Sequence, residues 1–206
     1  RHLYYSIPFV VVGLASVIAL IAFYPKYWEL KSVSSKDLMR LSQGIDKKGH
    51  HWIGARNPVL TIEEFSDYEC PFCAKKHRFL RKMVSKYPEK IRLIHRNYPL
   101  DQACNSLVPR PFHPSACTKA KLAMCAGLQG KFWEANDLLF ANRIKRFSPY
   151  LVSQALGLSF GGMKECMASK DVESVLMKDV IFGIKRRFNY TPVLFANGKI
   201  FRRLSS

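Results

Sequence analysis

Cys70-Pro71-Phe72-Cys73 places two thiols one helical turn apart. At that spacing one sulfur can attack a partner and the other can resolve the mixed disulfide that forms. The pair also stands where an apolar stretch and a turn meet the start of a helix. Unsatisfied N–H groups and the positive end of the helix dipole gather there, and both favour a thiolate. Cys70, at the edge, is the expected attacking sulfur, and Cys73, one turn inside, the resolving one. Two other readings stay open. Zinc usually takes a second C-x-x-C or paired histidines, whereas twelve residues separate Cys104 from Cys117, and His95 and His113 stand alone. An inert structural disulfide is the other.

The elements around the motif predict how it is held. Val59-Leu60-Thr61-Ile62, leading through Glu63-Glu64 to Phe65, reads as a buried strand, and residues 66–69 as a turn. From Cys70 the period changes. Phe72, Phe79, Leu80, Met83, Val84 and Tyr87 fall at helical spacing with Lys and Arg between them, and Pro88 stops the helix. Lys90–Tyr98 reads as a second strand, completing a βαβ unit of a parallel sheet. Residues 99–114 form a loop carrying Cys104, and residues 115–188 read as helical. Within them a helix runs from Ala116 to Phe140, Ser148-Pro149 is a helix start, and Asp171 is the expected cap of the last helix. Val193–Phe195 and Lys199–Phe201, joined at Asn197-Gly198, predict a hairpin with a two-residue turn.

The first 57 residues differ in kind. Leu3 to Pro25 contains no charge and is long enough, at about 20 residues, to cross a bilayer as a helix. Tyr4, Tyr5, Tyr24, Tyr27 and Trp28 cluster at its ends, as interfacial aromatics do. A cleaved signal peptide would have a shorter apolar run and a small-residue cleavage site. Residues 26–57 read as a polar linker with a short helical piece around Lys36–Leu41. Lys26, Lys31, Lys36 and Arg40 follow the span, which by the positive-inside rule would keep the large domain in the cytoplasm. The six cysteines point the other way, to an oxidising compartment, and they are given the greater weight. The net charge of +18 favours anionic partners. The basic residues are spread over helical stretches beside no nucleic-acid signature, so they are read as a solvated surface and no nucleic acid is expected.

The segment Phe65–Cys73 (FSDYECPFC), preceded by a strand, resembles the DsbA family of the thioredoxin superfamily. Ala123–Phe140 is similar to the start of that family's inserted helical domain, and Asn189–Gly198 (NYTPVLFANG) to its cis-proline strand and hairpin. The resemblance spans most of residues 54–201. It implies an α/β thioredoxin-like fold over residues 58–206, with a helical insertion at about 115–188, and the apolar stretch places this behind a transmembrane helix at 3–25. It sets Pro71, Phe72, Thr191 and Pro192 against the substrate, with Thr191-Pro192 as a cis-proline loop whose backbone binds an extended peptide. From the residues alone Pro192 is equally an ordinary trans proline opening a strand. Glu64 matches the buried acid beneath the redox pair, a group that could relay the Cys73 proton; read alone, it is a strand-end glutamate facing water. Phe72 stands where the family often has histidine and cannot hydrogen-bond the thiolate, which argues against extreme oxidising power. Cys125 and Cys166 fall where some members carry a second disulfide. Cys104 and Cys117 flank a loop like one in DsbA-like domains fused to vitamin K epoxide reductase-type membrane domains, as a structural bridge or a relay pair. The family normally closes with one more helix than the sequence supplies before Ser206.

The resemblance implies oxidation of cysteine pairs in exported proteins at the extracytoplasmic face of a membrane. A quinone-linked membrane partner or fused domain would restore the disulfide, and the residues call for no metal or organic cofactor. The same site kept reduced would serve a reductase or isomerase. A peptide-binding or chaperone module stapled by its cysteines is the reading from another class.

Overall fold

The computed structural model describes residues 41–141 and 147–201. The expected membrane span, and the helical piece before Leu41, lie outside the described residues. Among the described residues no helix is long and apolar enough to cross a membrane.

The strands are β1 (Gln43–Ile45), β2 (His51–Gly54), β3 (Leu60–Ser66), β4 (Ile91–Asn97), β5 (Val193–Ala196) and β6 (Lys199–Ile200). They form one sheet in the order β1-β2-β4-β3-β5-β6. Helix α1 (Pro71–Lys86) crosses between β3 and β4, the one parallel pair among neighbours that are otherwise antiparallel. The βαβ unit and the closing hairpin follow the sequence pattern. Asn197 and Gly198 have φ of 47° and 76°. A two-residue turn needs both central residues left-handed to match the strand twist, which is why Asn-Gly serves there.

The sheet extends further toward the N-terminus than the sequence pattern predicts. β1 and β2 fall in the stretch 26–57 read as linker. They have only three and four residues, too few for an alternating pattern to stand out. Gly54 ends β2 at φ 106°, and a side chain on it would collide with the Ile91 carbonyl. Close backbone approach, invisible in the sequence, holds β2 against β4.

Between β4 and β5 come α2 (Ala116–Leu128), α3 (Phe132–Phe140), α4 (Pro149–Leu156), α5 (Phe160–Met167) and α6 (Lys170–Lys185). The helix expected over Ala116–Phe140 breaks at Gly130, whose φ is 75°. Ser148 and Pro149 open α4 as expected. The cap of α6 is Ser169, whose hydroxyl accepts from Val172 N–H at 3.3 Å. Asp171, the expected cap, sits instead in the first turn, where its charge still complements the dipole.

Side chains alternate across the sheet. One face of β3 and β4 carries Ile62, Glu64, Leu93 and His95 toward α1, where Cys73, Leu80 and Val84 join the main core. The other carries Phe65 and Arg96 toward α6. There Phe65, Phe188, Val193 and Phe195 form a second cluster with Phe182. Cys125 of α2 is bonded to Cys166 of α5, and Cys104 in the loop before α2 to Cys117 within it.

Candidate active site

Cys70 occupies the N-cap of α1 with extended backbone, Pro71 opens the helix, and Cys73 lies in its first turn. Proline suits that position because the first helical N–H has no intrahelical acceptor to lose. Both cysteines are free thiols, and both are buried. Cys73 N–H donates to Cys70 Sγ at 3.4 Å. Across the site, Cys70 Sγ lies 3.5 Å from the carbonyl oxygen of Thr191, and the Thr191–Pro192 peptide is cis. Phe72, between the cysteines in sequence, is 72% exposed, and Tyr190, next to Thr191, is exposed as well. The sequence-derived residues Cys70, Cys73, Pro71, Phe72, Thr191 and Pro192 thus meet in one place.

The two thiols are driven apart electrostatically. The Cys73 thiol hydrogen-bonds the Cys70 sulfur, backbone N–H groups of the first turn add to it, and together they outweigh burial to bring Cys70 down to about 5. Cys73 is pushed far upward, first by burial and then by giving its hydrogen bond to Cys70. One sulfur is therefore a thiolate at neutral pH and the other a thiol. At pH 7 Cys70 is mostly ionised, against a few per cent for an ordinary thiol. In the reduced chain, alkylation of Cys70 by iodoacetamide should be flat from about pH 8 to 6 and fall to half near pH 5. A midpoint above pH 8 would remove the basis for calling Cys70 the attacking sulfur. Stability follows the same shift. A depressed acid pKa stabilises the reduced fold fully above about pH 8.5 and loses that contribution as pH falls through about 5.

The turn before Cys70 is held by the segment 100–119, which the Cys104–Cys117 disulfide bridges. Asp67 accepts from Leu100 N–H at 2.6 Å and faces His113 Nδ1 at 2.9 Å. Glu69 accepts from Ser115 N–H at 3.0 Å and pairs with Lys119 at 2.7 Å. His113 is thus a partner of the active-site turn. His95 faces Asn97 at 3.3 Å. Among the described residues no group of three or more potential metal ligands comes together.

Glu64 is completely buried, and neither carboxylate oxygen has a hydrogen-bond partner among the described residues. Its neighbour is His77, whose Nδ1 lies 3.6 Å from Glu64 Oε2. His77 Nε2 reaches Asp137 of α3 at 2.7 Å, and Arg81 reaches the same carboxylate at 2.8 Å. The sequence pattern singles out neither His77 nor Asp137, and it groups Arg81 with the solvated basic surface, whereas Arg81 is buried against Asp137. The available signal was the spacing of His77, four residues beyond Cys73 and so on the same face of α1.

The family model described as thioredoxin matches residues 46–206. A curated relative, the Na(+)/H(+) antiporter NhaA 1 of Salinispora arenicola, is 29% identical over 167 residues, which are 80% of this chain and 24% of the antiporter. The chain thus spans about a quarter of the length of that relative. Among solved structures, a thioredoxin-like oxidoreductase from Silicibacter pomeroyi superposes with a TM-score of 0.62 at 19% identity, over 82% of this chain and 88% of that one. Pseudomonas aeruginosa DsbA2 superposes at 0.57 with 23% identity, over 73% and 82%.

Proposed function

The chain belongs to the thioredoxin family, and from that premise we propose that it oxidises cysteine pairs in exported proteins by thiol–disulfide exchange at Cys70–Cys73. A substrate thiolate attacks Cys70 Sγ of the disulfide, and Cys73 leaves and takes up a proton. The second substrate thiolate then attacks the substrate sulfur of the mixed disulfide. Cys70 departs as the thiolate its helix terminus stabilises, and the substrate leaves with a disulfide. The two electrons it gave up rest on the reduced pair until a membrane oxidant, quinone-linked or fused, collects them. Thr191 and Pro192 bind the substrate backbone by strand addition beside β5, with Pro71 and Phe72 against its side chains.

The observation that carries the direction is the depressed pKa of Cys70. A stable thiolate stabilises the reduced enzyme and makes the disulfide the stronger oxidant. The rise at Cys73 does not oppose this at neutral pH, because that thiol is protonated with or without the shift. Two further disulfides among the described residues support an oxidising, extracytoplasmic compartment. Anchorage to a membrane is part of the same reading. It rests on the apolar stretch 3–25 and is in keeping with a relative that is named an antiporter.

Equilibration of the pair in glutathione buffers tests the direction. A potential between about −180 and −120 mV is expected for a disulfide donor lacking a histidine at position 72. A potential near about −270 mV would make the chain a reductant with the same site.

A further inference from the structure

We propose that the outer face of α1 is a docking surface for anionic phospholipid headgroups, and that it holds the redox pair at the membrane. The proposal takes its tether from the anchored reading above and adds a second point of attachment, on the folded domain itself.

The 16 residues of α1 include no Asp or Glu. Of the helix's Lys and Arg residues only Arg81 turns inward, against Asp137. Lys75, Arg78, Lys82 and Lys86 are exposed, and Lys76 is half-buried. Among the described residues none of these five makes an ion pair. The next acid along the chain, Glu89, comes after the helix has ended. Phe72, Lys75, Phe79, Lys82 and Lys86 recur three and four residues apart, so they fall on one line along the helix. That line is opposite the one through Cys73, His77, Leu80 and Val84 that faces the core. Phe79, in its middle, is 55% exposed, with the Lys76 ammonium 5.6 Å from its ring. At the C-cap the Lys86 ammonium lies 5.5 Å from the ring of Tyr87, which is also exposed.

A helix face that only meets water is best served by mixed charge. Arg78–Lys82 and Lys82–Lys86 are instead like-charged pairs four residues apart, which weaken a helix in water. Against a layer of phosphates the same charges add, each basic residue near an anionic surface contributing about fivefold in affinity. Lysine stems lie along apolar surface while their heads reach the phosphates, and aromatic rings such as Phe79 and Tyr87 settle at headgroup level beside them. Two features favour lipid over an acidic protein. The exposed aromatics are interleaved with the cations, which suits an interface apolar on one side and charged on the other. The anchored reading also keeps the domain near a membrane. Residues 26–40 join the apolar stretch to Leu41, and fully extended they reach no more than about 50 Å. At that range even a weak surface attachment is filled, because the tether sets a high effective concentration. The line on α1 begins at Phe72, next in the helix to Cys73. A helix laid on the headgroups therefore brings the redox pair to the level at which a membrane oxidant collects electrons.

The test reconstitutes the full chain in vesicles of phosphatidylcholine alone, or of phosphatidylcholine and phosphatidylglycerol. Its lysines are then acetylated with an uncharged ester and read one by one by mass spectrometry. On the anionic vesicles Lys75, Lys82 and Lys86 should react about fivefold more slowly at about 0.05 M salt, and the difference should vanish at about 0.5 M, where the attraction is screened. Lys48 and Lys199, exposed near the two edges of the sheet, are the references and should change by less than about twofold. Lys75→Glu combined with Lys82→Glu should return Lys86 to its rate on phosphatidylcholine, with exchange against a soluble dithiol peptide as in wild type. Equal reactivity of the α1 lysines on both vesicles overturns the proposal and leaves this face to an acidic protein. Protection that Lys48 and Lys199 share equally overturns it too, as does a Lys86 that stays protected in the double variant. A chain that salt washes off phosphatidylcholine vesicles refutes the anchored reading instead. The docking face is then decided by the same footprint, taken on anionic vesicles against the chain in solution. A wild-type chain that exchanges with no thiol sinks the exchange reading, and the footprint decides the docking face as before.

Discussion

Replacing Cys73 with alanine is expected to stall the chain as a covalent complex through Cys70, and replacing Cys70 with serine to abolish exchange. The asymmetry follows from burial and charge. Cys70 is the thiolate, seated at the open end of α1 next to the exposed Phe72. Cys73 is wholly buried and its thiol is pushed far above the physiological range, so it cannot stand in when Cys70 is gone. With Cys73→Ala, a target disulfide still accepts attack by Cys70. The mixed disulfide then lacks the internal thiol that releases it toward enzyme. Well-placed intramolecular groups act at effective molarities of about 10⁵ M or more, so release by a millimolar external thiol should be slower by at least about 10³-fold. Non-reducing electrophoresis after incubation with a disulfide-bonded peptide reads this directly, as a complex that dithiothreitol dissolves. Turnover that survives in Cys73→Ala would mean Cys73 does not resolve. Survival in Cys70→Ser, with binding of an extended peptide intact, would favour a binding module over an enzyme.

The parts of this site legible in the sequence are those that neighbours along the chain build. Cys70, Pro71 and Cys73 make their geometry within one helical turn, and β3, α1 and β4 each carry a period long enough to read. Thr191 stands 121 residues from Cys70, with Pro192 next to it, and no local pattern brings them there. They were found because the segment Asn189–Gly198 resembles a known one. The polar frame was not legible for a different reason. Asp137 lies inside FWEANDLLF, where an acid three residues after Glu134 looks like part of the solvent side of a helix. Its partners His77 and Arg81 are 60 and 56 residues away. Nothing in β1 or β2 is long enough to show alternation, so the near edge of the sheet was read as linker. Buried ion pairs are matched in three dimensions, and a single sequence records only one member at a time.

Asp179 is the strongest case of this, and its replacement by alanine should cost about 3–5 kcal/mol of stability in both redox states. In KDVESVLMKDVIFGIK it is an ordinary acid in a helix. In the fold it is buried, and every bond it makes leaves its own helix. Oδ1 accepts from Arg96 Nε at 2.6 Å and faces His50 Nε2 at 2.9 Å. Oδ2 accepts from the backbone N–H of Asn97 at 2.9 Å. It therefore ties α6 to the C-terminal end of β4 and to the turn between β1 and β2. Alanine would leave the Arg96 guanidinium, stacked over Phe65 and Phe182, with Glu63 as its remaining acid, and would strand a buried N–H. A folded domain has only about 5–15 kcal/mol in all, so the loss should be visible as a large drop in urea midpoint at unchanged slope. Asn at the same position keeps the shape and two acceptor lone pairs but not the charge. It should lose less, and the gap between Asn and Ala separates the hydrogen bonds from the ion pair. A drop below about 1 kcal/mol in Asp179→Ala would mean that water or a shifted Glu63 takes over these partners, and that α6 is held to the sheet chiefly by the Phe65 cluster.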